Sequence, residues 1–430
     1  MDALLAGILY HGRVFDLPER RQPGRITVLM GERMIQLLIR RDAVAGLLSG
    51  DLIAFSIRPP AAEGALPEIE RVERLGGPVS GGPWTEGDAL RWRRPGKGPA
   101  RLALLRLRHA VLRTVRAYFD EQGFVEVETP ALVRAPSPEP QFIPIAAAGD
   151  EFLITSPEFQ LKRLLVGGMD RLYRIGPAFR GGERGLLHNP EFTLLEWYRS
   201  LAGTDALASD LHSLLIHLVP LAQAFAAEYP PAAGDPAIPR LQSAWVAAPL
   251  RKWSVAELFR HHLGMDLRGV VTADALRAAA RAAKWPESGE LAGDFDAAFS
   301  RLWVALEAKF LPEPFLAVDW PAPLASLARL KVGDPTVSER MELYARGLEL
   351  ANGFAELTDS AQQRVRFEAN LAQRAAQGQP SLPLDEAFLR ALEDGMPPSA
   401  GMALGLDRLV MLVAGVADIR DVLSFASDER

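Results

Sequence analysis

The sequence predicts an α+β protein in two parts, a small β-barrel domain over residues 1–96 and a larger mixed domain over residues 97–430. Three observations predict it. Residues 5–75 read as short strands around one short helix. A stretch rich in glycine and proline follows. Beyond it, strands and helices succeed one another without the regular alternation of a doubly wound sheet.

Leu5 to Leu17 reads as a strand. Arg25 to Met30 and Met34 to Ile39 are apolar runs separated by Gly31-Glu32-Arg33, a hairpin signal. Asp42 to Leu48 is a short helix ending before Gly50, and Asp51 to Ile57 and Pro67 to Leu75 are two further strands. Three strands, a short helix and two strands is the element order of an OB-type barrel. Such barrels often bind oligonucleotides. This one has near-balanced charge and no obvious stacking aromatics, so a docking or structural role is the expectation. Gly76-Gly77-Pro78, Gly81-Gly82-Pro83 and Pro95-Gly96-Lys97-Gly98-Pro99 break any regular element and mark a boundary near residue 97.

Leu102 to Glu121 has apolar residues at helical spacing and is ended by Gly123. Val125 and Val127 then alternate with Glu126 and Glu128 in a strand stopped by Thr129-Pro130. Glu151 to Thr155 and Phe315 to Trp320 read as strands. Phe159 to Leu165, Asp205 to Phe225, Ser254 to His262, Ala273 to Lys284 and Phe295 to Lys309 read as helices. Glu339 to Ala345 also reads as helical and leads into Gly347 to Leu357. Met402 to Val413 starts with small residues and continues as an apolar run.

Composition narrows the function. Of 430 residues, 48% are hydrophobic and 24% charged, an ordinary globular balance. A formal net charge of -6 argues against a chain whose main affinity is for nucleic-acid phosphates, although a local basic patch is compatible with it. Without cysteine there are no disulfides, thiolate nucleophiles or cysteine-based zinc sites. The first residues lack the basic start and apolar run of an export signal, and no uninterrupted apolar run reaches the roughly 20 residues of a bilayer span. A cytoplasmic protein without a membrane partner is the expectation. His188, His212, His217, His261 and His262 suggest no metal set.

Three clusters carry chemistry. In the first, Phe179-Arg180-Gly181-Gly182-Glu183 leads through His188-Asn189-Pro190-Glu191-Phe192-Thr193 to Glu196-Trp197-Tyr198, a glycine-rich charged turn between strand-like runs. Glycines let the backbone approach a phosphate, and an arginine ending the incoming strand offers a bidentate fork; an ordinary solvated hairpin has the same composition. The second gathers Glu342, Glu349, Asn352-Gly353 and Glu356. Crowded acids repel unless cations intervene, so they suit magnesium bridging to phosphates, a substrate ammonium, or a solvated acidic face. The third, Gly401-Met402-Ala403-Leu404-Gly405-Leu406-Asp407-Arg408, is a small-residue strand entering a helix. It can hold an arginine and backbone N–H groups against an anion, or be a packing element in which Arg408 pairs with Asp407.

Together these segments resemble motifs 1, 2 and 3 of the class II aminoacyl-tRNA synthetases, over residues 100–430. Phe124-Val125-Glu126-Val127-Glu128-Thr129-Pro130 resembles motif 1, the Arg180 hairpin motif 2, and Gly405-Leu406-Asp407-Arg408 motif 3. The resemblance implies an antiparallel sheet core flanked by helices, ATP and Mg2+, an aminoacyl adenylate, and a homodimer built on motif 1. Thr155-Ser156-Pro157-Glu158, His188 to Thr193 and Asn352 to Leu357 are similar to the lysyl branch. That likeness implies Arg180 on the α-phosphate and Arg408 on the γ-phosphate as catalytic groups. It implies Gly182, Glu183, Asn189, Glu349, Leu350 and Gly405 around ATP, and Glu342 and Glu349 on magnesium. It places Ser156, Glu158, Glu196, Tyr198, Asn352, Glu356 and Ala403 around the amino acid; a diamine needs acceptors at both ends, and carboxylates are natural partners for buried ammonium groups.

Gly347 to Phe354 and Gly401 to Gly405 look closer still to the elongation factor P–(R)-β-lysine ligases. Ala403 stands where lysyl-tRNA synthetases generally have glycine, and one methyl biases discrimination by about 1–3 kcal/mol, here toward a β-amino acid. The implied partners are (R)-β-lysine or lysine, and elongation factor P as acceptor. A tRNA-charging enzyme, a paralogue for another amino acid and a non-catalytic binding protein are the alternatives. The sequence departs from the pattern in one place. Two residues after Arg180 the synthetases usually carry the glutamate that reads adenine, whereas this chain has Gly182 followed by Glu183. The first 96 residues do not match the anticodon-binding domain of lysyl-tRNA synthetases.

Overall fold

The computed structural model describes the chain except residues 1–4, 6, 18–23, 31–32, 59, 61, 63–64, 78–98, 231–237, 287–290 and 430. The expected turn at Gly31-Glu32 and most of the expected linker lie outside the described residues. The chain divides into two compact units, Met1–Arg106 and Leu107–Arg430.

In the first unit, Tyr10–Asp16 (β1), Gly24–Met30 (β2), Arg33–Ile39 (β3), the short helix Arg41–Val44 (α1), Leu52–Arg58 (β4) and Glu68–Gly76 (β5) follow in the expected order. They close into an OB-like barrel with strand order β1-β2-β3-β5-β4. Alternate side chains turn inward: Val14, Ile26, Val28, Leu37, Ile53, Phe55 and Ile57 have no exposed surface. Strand β1 starts at Tyr10, later than expected, because Gly7 turns the chain at φ +77°.

The second unit begins within the helix Arg101–Glu121 (α2), which buries Leu107, Val111, Val115, Tyr118 and Phe119 on one face. Gly123, at φ +72°, ends it: the Gly123 N–H donates to the Asp120 carbonyl and the Phe124 N–H to that of Phe119. Val125–Glu126 (β6), Leu132–Val133 (β7), Phe152–Leu153 (β8), Glu158–Val166 (α3), Arg171–Phe179 (β9), Glu191–Ser200 (β10) and Thr204–Glu228 (α4) come next. Then follow Arg251–Ser254 (β11), Val255–Leu263 (α5), Ala273–Ala282 (α6), Phe295–Glu307 (α7), Phe315–Pro321 (β12), Leu330–Lys331 (β13), Asp334–Ala345 (β14) and Leu348–Ala355 (β15). Ser360–Ala376 (α8), Glu386–Gly395 (α9), Ser399–Gly405 (β16) and Leu406–Ala414 (α10) complete the unit.

Its 9-stranded sheet has the order β11-β12-β14-β15-β16-β10-β9-β6, with β13 on β14, and is antiparallel except at its two ends. Register lines up Glu342, Asn352, Ala403, Glu196 and Arg174 as one row across five strands. The next row holds Arg340, Phe354, Gly401 and Tyr198. Helix α10 packs on β10, β15 and β16, and α4 packs against α10.

Two readings from sequence need correction. Glu339 to Ala345 is not helical; it lies in β14, hydrogen-bonded to β12 on one side and β15 on the other. Glu, Met, Leu and Ala are strong helix formers, and pairing on both edges overrides that preference. Helices α8 and α9 were not anticipated, although Asp359 and Asp385 cap them through Gln362 N–H and Phe388 N–H. Helix α4 is long and apolar enough to cross a bilayer by length and composition; Leu207, Leu211, Leu214, Leu215 and Leu218 are buried in the core.

Candidate active site

A cavity of about 410 Å3 lies on the sheet face bearing these rows. Arg180 immediately follows β9, and its backbone N–H donates to the Pro190 carbonyl across the hairpin. Its guanidinium lies 4.0 Å from the centroid of the Phe142 ring and 5.1 Å from that of Phe192. The nearest carboxylate is Glu183 at 3.9 Å, and the buried Nε has no partner among the described residues. Burial lowers its pKa, but an arginine keeps its charge at neutral pH. The result is a cation held against two rings on the wall of the cavity.

Arg408 stands in the first turn of α10 and faces the same cavity. It donates to the carbonyls of Glu349 (2.7 Å) and Leu187 (3.3 Å) and meets His188 Nε2 at 2.8 Å. It does not pair with Asp407. That carboxylate takes Arg108 at 2.5 Å and the Thr193 N–H at 2.8 Å, which ties α10 to α2 and β10. Burial and Arg408 both hold the His188 pKa below its ordinary value, so the ring remains a neutral partner.

Glu342 and Glu349 line the cavity beside the two arginines. Glu342 accepts from Arg340 at 2.6 Å and from the Tyr344 hydroxyl at 2.7 Å. No group of three or more His, Asp or Glu forms a closed metal cage among the described residues. Two hard carboxylates beside two arginines nonetheless suit Mg2+, which usually keeps water and substrate oxygens in its remaining places.

At the other end, Ser156 Oγ and the Tyr198 hydroxyl donate to the two oxygens of Glu196 at 2.9 and 2.7 Å. Gly401 is obligatory here: a Cβ would lie 2.1 Å from the Tyr198 ring and 2.7 Å from a Glu356 oxygen. Glu158 lines the cavity, while Glu356 lies behind its wall. Both are ion-paired to the buried Lys162, each at 2.5 Å. Of the residues expected at the site, Ser156, Glu158, Arg180, Glu183, Asn189, Glu196, Tyr198, Glu342, Glu349, Leu350, Asn352, Ala403, Gly405 and Arg408 line this one cavity. Gly182, at φ +79° beside Ile143, and Glu356 do not.

Residues 91–429 match the family model of the class II tRNA synthetases (D, K and N). The chain belongs to the class II tRNA synthetases. It is an ATP-dependent amino-acid ligase. Among curated relatives, the elongation factor P–(R)-β-lysine ligase of Erwinia tasmaniensis is 37% identical over 343 residues, spanning 76% of this chain and 96% of the relative. Proteins of the same name from Edwardsiella ictaluri and Proteus mirabilis are each 36% identical, over 342 and 339 residues, covering 76% of this chain and 96% and 95% of the relatives.

Sequence reasoning missed Lys162, Arg340 and Phe142 in this ligase. Lys162 stands one turn after Glu158, an i,i+4 spacing that was readable. Burial and the charge of Glu158 push the Glu196 carboxyl up to about 7. An ammonium binds its ionised form, and the raised pKa means that protons compete for it near neutrality. The KM for the amino acid is therefore expected to fall as pH rises from about 6 to about 8, by up to tenfold per unit below that pKa. Steady-state KM measured against pH at saturating ATP checks this; a flat profile contradicts it.

Proposed function

We propose that the ligase activates (R)-β-lysine, or lysine, as its adenylate and transfers the acyl group to a lysine of elongation factor P. One observation carries this reading: Arg180, clamped between two rings, and Arg408 face the same cavity as Glu158 and Glu196. Cationic groups for phosphates at one end and buried carboxylates for ammonium groups at the other fit ATP and a diamino acid together. The substrate carboxylate is already ionised at neutral pH and needs no strong base. Its oxygen attacks the α-phosphorus, the bond to the pyrophosphate oxygen breaks, and Arg180 and Arg408 balance the charge on the phosphates. The acceptor amine then attacks the acyl carbon, AMP leaves and the amine loses its proton. Glu342 and Glu349 would hold Mg2+, which supplies further neutralisation of phosphate charge.

Names of the relatives support the acceptor. A translation factor as acceptor places the reaction in the cytoplasm. Residues 97–430 then form the catalytic domain and residues 1–96 an accessory domain. A homodimer through the motif 1 segment is part of the same reading: β6 lies at the sheet edge and Val125 is 52% exposed. Charging of tRNA is the weaker alternative. Intact-mass spectrometry of elongation factor P incubated with the enzyme, ATP and (R)-β-lysine should show one added β-lysyl group. An unmodified factor beside an aminoacylated tRNA control would reject it.

Ala403 lies in register between Glu196 and Asn352 on the cavity wall. Ala403→Gly is expected to raise the kcat/KM of α-lysine relative to (R)-β-lysine by about tenfold, within the range one methyl supports. Competition between the two amino acids measures that ratio, and no change removes Ala403 from specificity.

A further inference from the structure

We propose that Lys162 is a positioning and specificity residue of the amino-acid pocket, a built-in counter-ion that fixes Glu158 and Glu356 and leaves the pocket matched to two substrate ammonium groups. The inference rests on the diamino-acid reading above and adds a residue to it.

Lys162 sits in the second turn of α3 with no exposed side-chain surface. Its ammonium lies 2.5 Å from Glu158 Oε1 on its own helix and 2.5 Å from Glu356 Oε2, just beyond β15. The rings of Phe354 and Phe388 stand 6.0 Å away. Glu196 and Tyr198 on β10, Arg174 beside Glu196 on β9, and Glu139 from the preceding loop are the other charged and titratable groups around this cluster. The attraction of Glu158 and Glu356 outweighs burial and keeps Lys162 charged.

Charge counting gives the consequence. Four carboxylates surround this end of the pocket, Glu139, Glu196 and Glu356 buried and Glu158 partly buried, against two cations, Lys162 and Arg174, so two negative charges remain when all four are ionised. A diamino acid brings two ammonium groups, and its carboxylate is directed at Arg180. A monoamino acid would leave one of these carboxylates without a cation, and burial, which pushes Glu196 up to about 7 and Glu356 up to about 8, would make it bind a proton instead. Geometry adds a second effect. By holding Glu356 behind the wall, Lys162 leaves Glu158 and Glu196 as the carboxylates that meet the substrate. Without Lys162 one more carboxylate would be left than the two ammonium groups of the substrate balance, and the pocket would take up a proton instead.

The test compares wild type with Lys162→Met, which keeps the length of the buried stem, and Lys162→Ala, in amino-acid-dependent ATP–pyrophosphate exchange. The expected result for Lys162→Met is a KM for the diamino acid raised on the order of tenfold or more and an unchanged KM for ATP. The rise of kcat/KM with pH should also move upward by about one unit, because the carboxylates lose their cation. Propylammonium should partly restore Lys162→Ala. Wild-type KM and pH profile in Lys162→Met would overturn the proposal. So would equal losses for ATP and amino acid with lowered Tm and no amine rescue, which define a merely structural tie. Absence of exchange in wild type with either lysine isomer would instead bring down the diamino-acid reading and this inference with it.

Discussion

Arg180→Ala is expected to lower amino-acid-dependent ATP–pyrophosphate exchange by about 1,000-fold or more, the scale on which a positioned arginine acts on a transferring phosphoryl group. The side chain is held by contact with the Phe142 and Phe192 rings, and its Nε has no partner among the described residues. Its loss therefore leaves no buried acceptor unmet, and Tm should change little. Arg180→Lys should recover only a small part of the rate, because an ammonium offers a point charge in place of the planar fork and stacks less well on the rings. Exchange within tenfold of wild type in Arg180→Ala would remove this residue from the phosphate site.

Asp210→Ala has the largest expected effect on stability. Asp210 on α4 is 3% exposed and accepts from the Tyr118 hydroxyl (3.2 Å), Trp197 Nε1 (3.1 Å) and Arg199 Nε and Nη2 (2.7 and 2.6 Å). It thereby joins α2, β10 and α4 behind the sheet that carries the site. Removing it strands a largely buried guanidinium and two neutral donors, a loss of about 3–5 kcal/mol. Asp210→Asn keeps one acceptor oxygen and should lose less. Urea unfolding at neutral pH followed by tryptophan fluorescence measures both, and a loss under about 1 kcal/mol for Asp210→Ala would show that the network contributes no more than surface pairs do.

Much of this architecture was legible in the sequence, and the exceptions have physical causes. The barrel could be read because inward and outward residues alternate and because the strands follow one another around one short helix, which ends at Val44 and not at the expected Leu48. Strand β14 could not: Glu339 to Ala345 consists largely of helix formers, and only its pairing with β12 and β15 decides its state. That misreading hid part of the site. In a strand, Arg340, Glu342 and Tyr344 share one face, which is why both neighbours bind Glu342. The clusters containing Arg180 and Arg408 were found through local motifs, yet no local signal shows that Arg408 turns away from Asp407 or that Lys162 reaches Glu356. Such pairings belong to the tertiary fold. The helices at Ser360 and Glu386 were within reach, since each follows an aspartate cap.

The most direct measurement is ATP–pyrophosphate exchange with (R)-β-lysine and α-lysine in parallel. Exchange that depends on the amino acid and prefers (R)-β-lysine is the predicted result. Exchange with neither, from protein that binds ATP, would contradict activation of a diamino acid at this site.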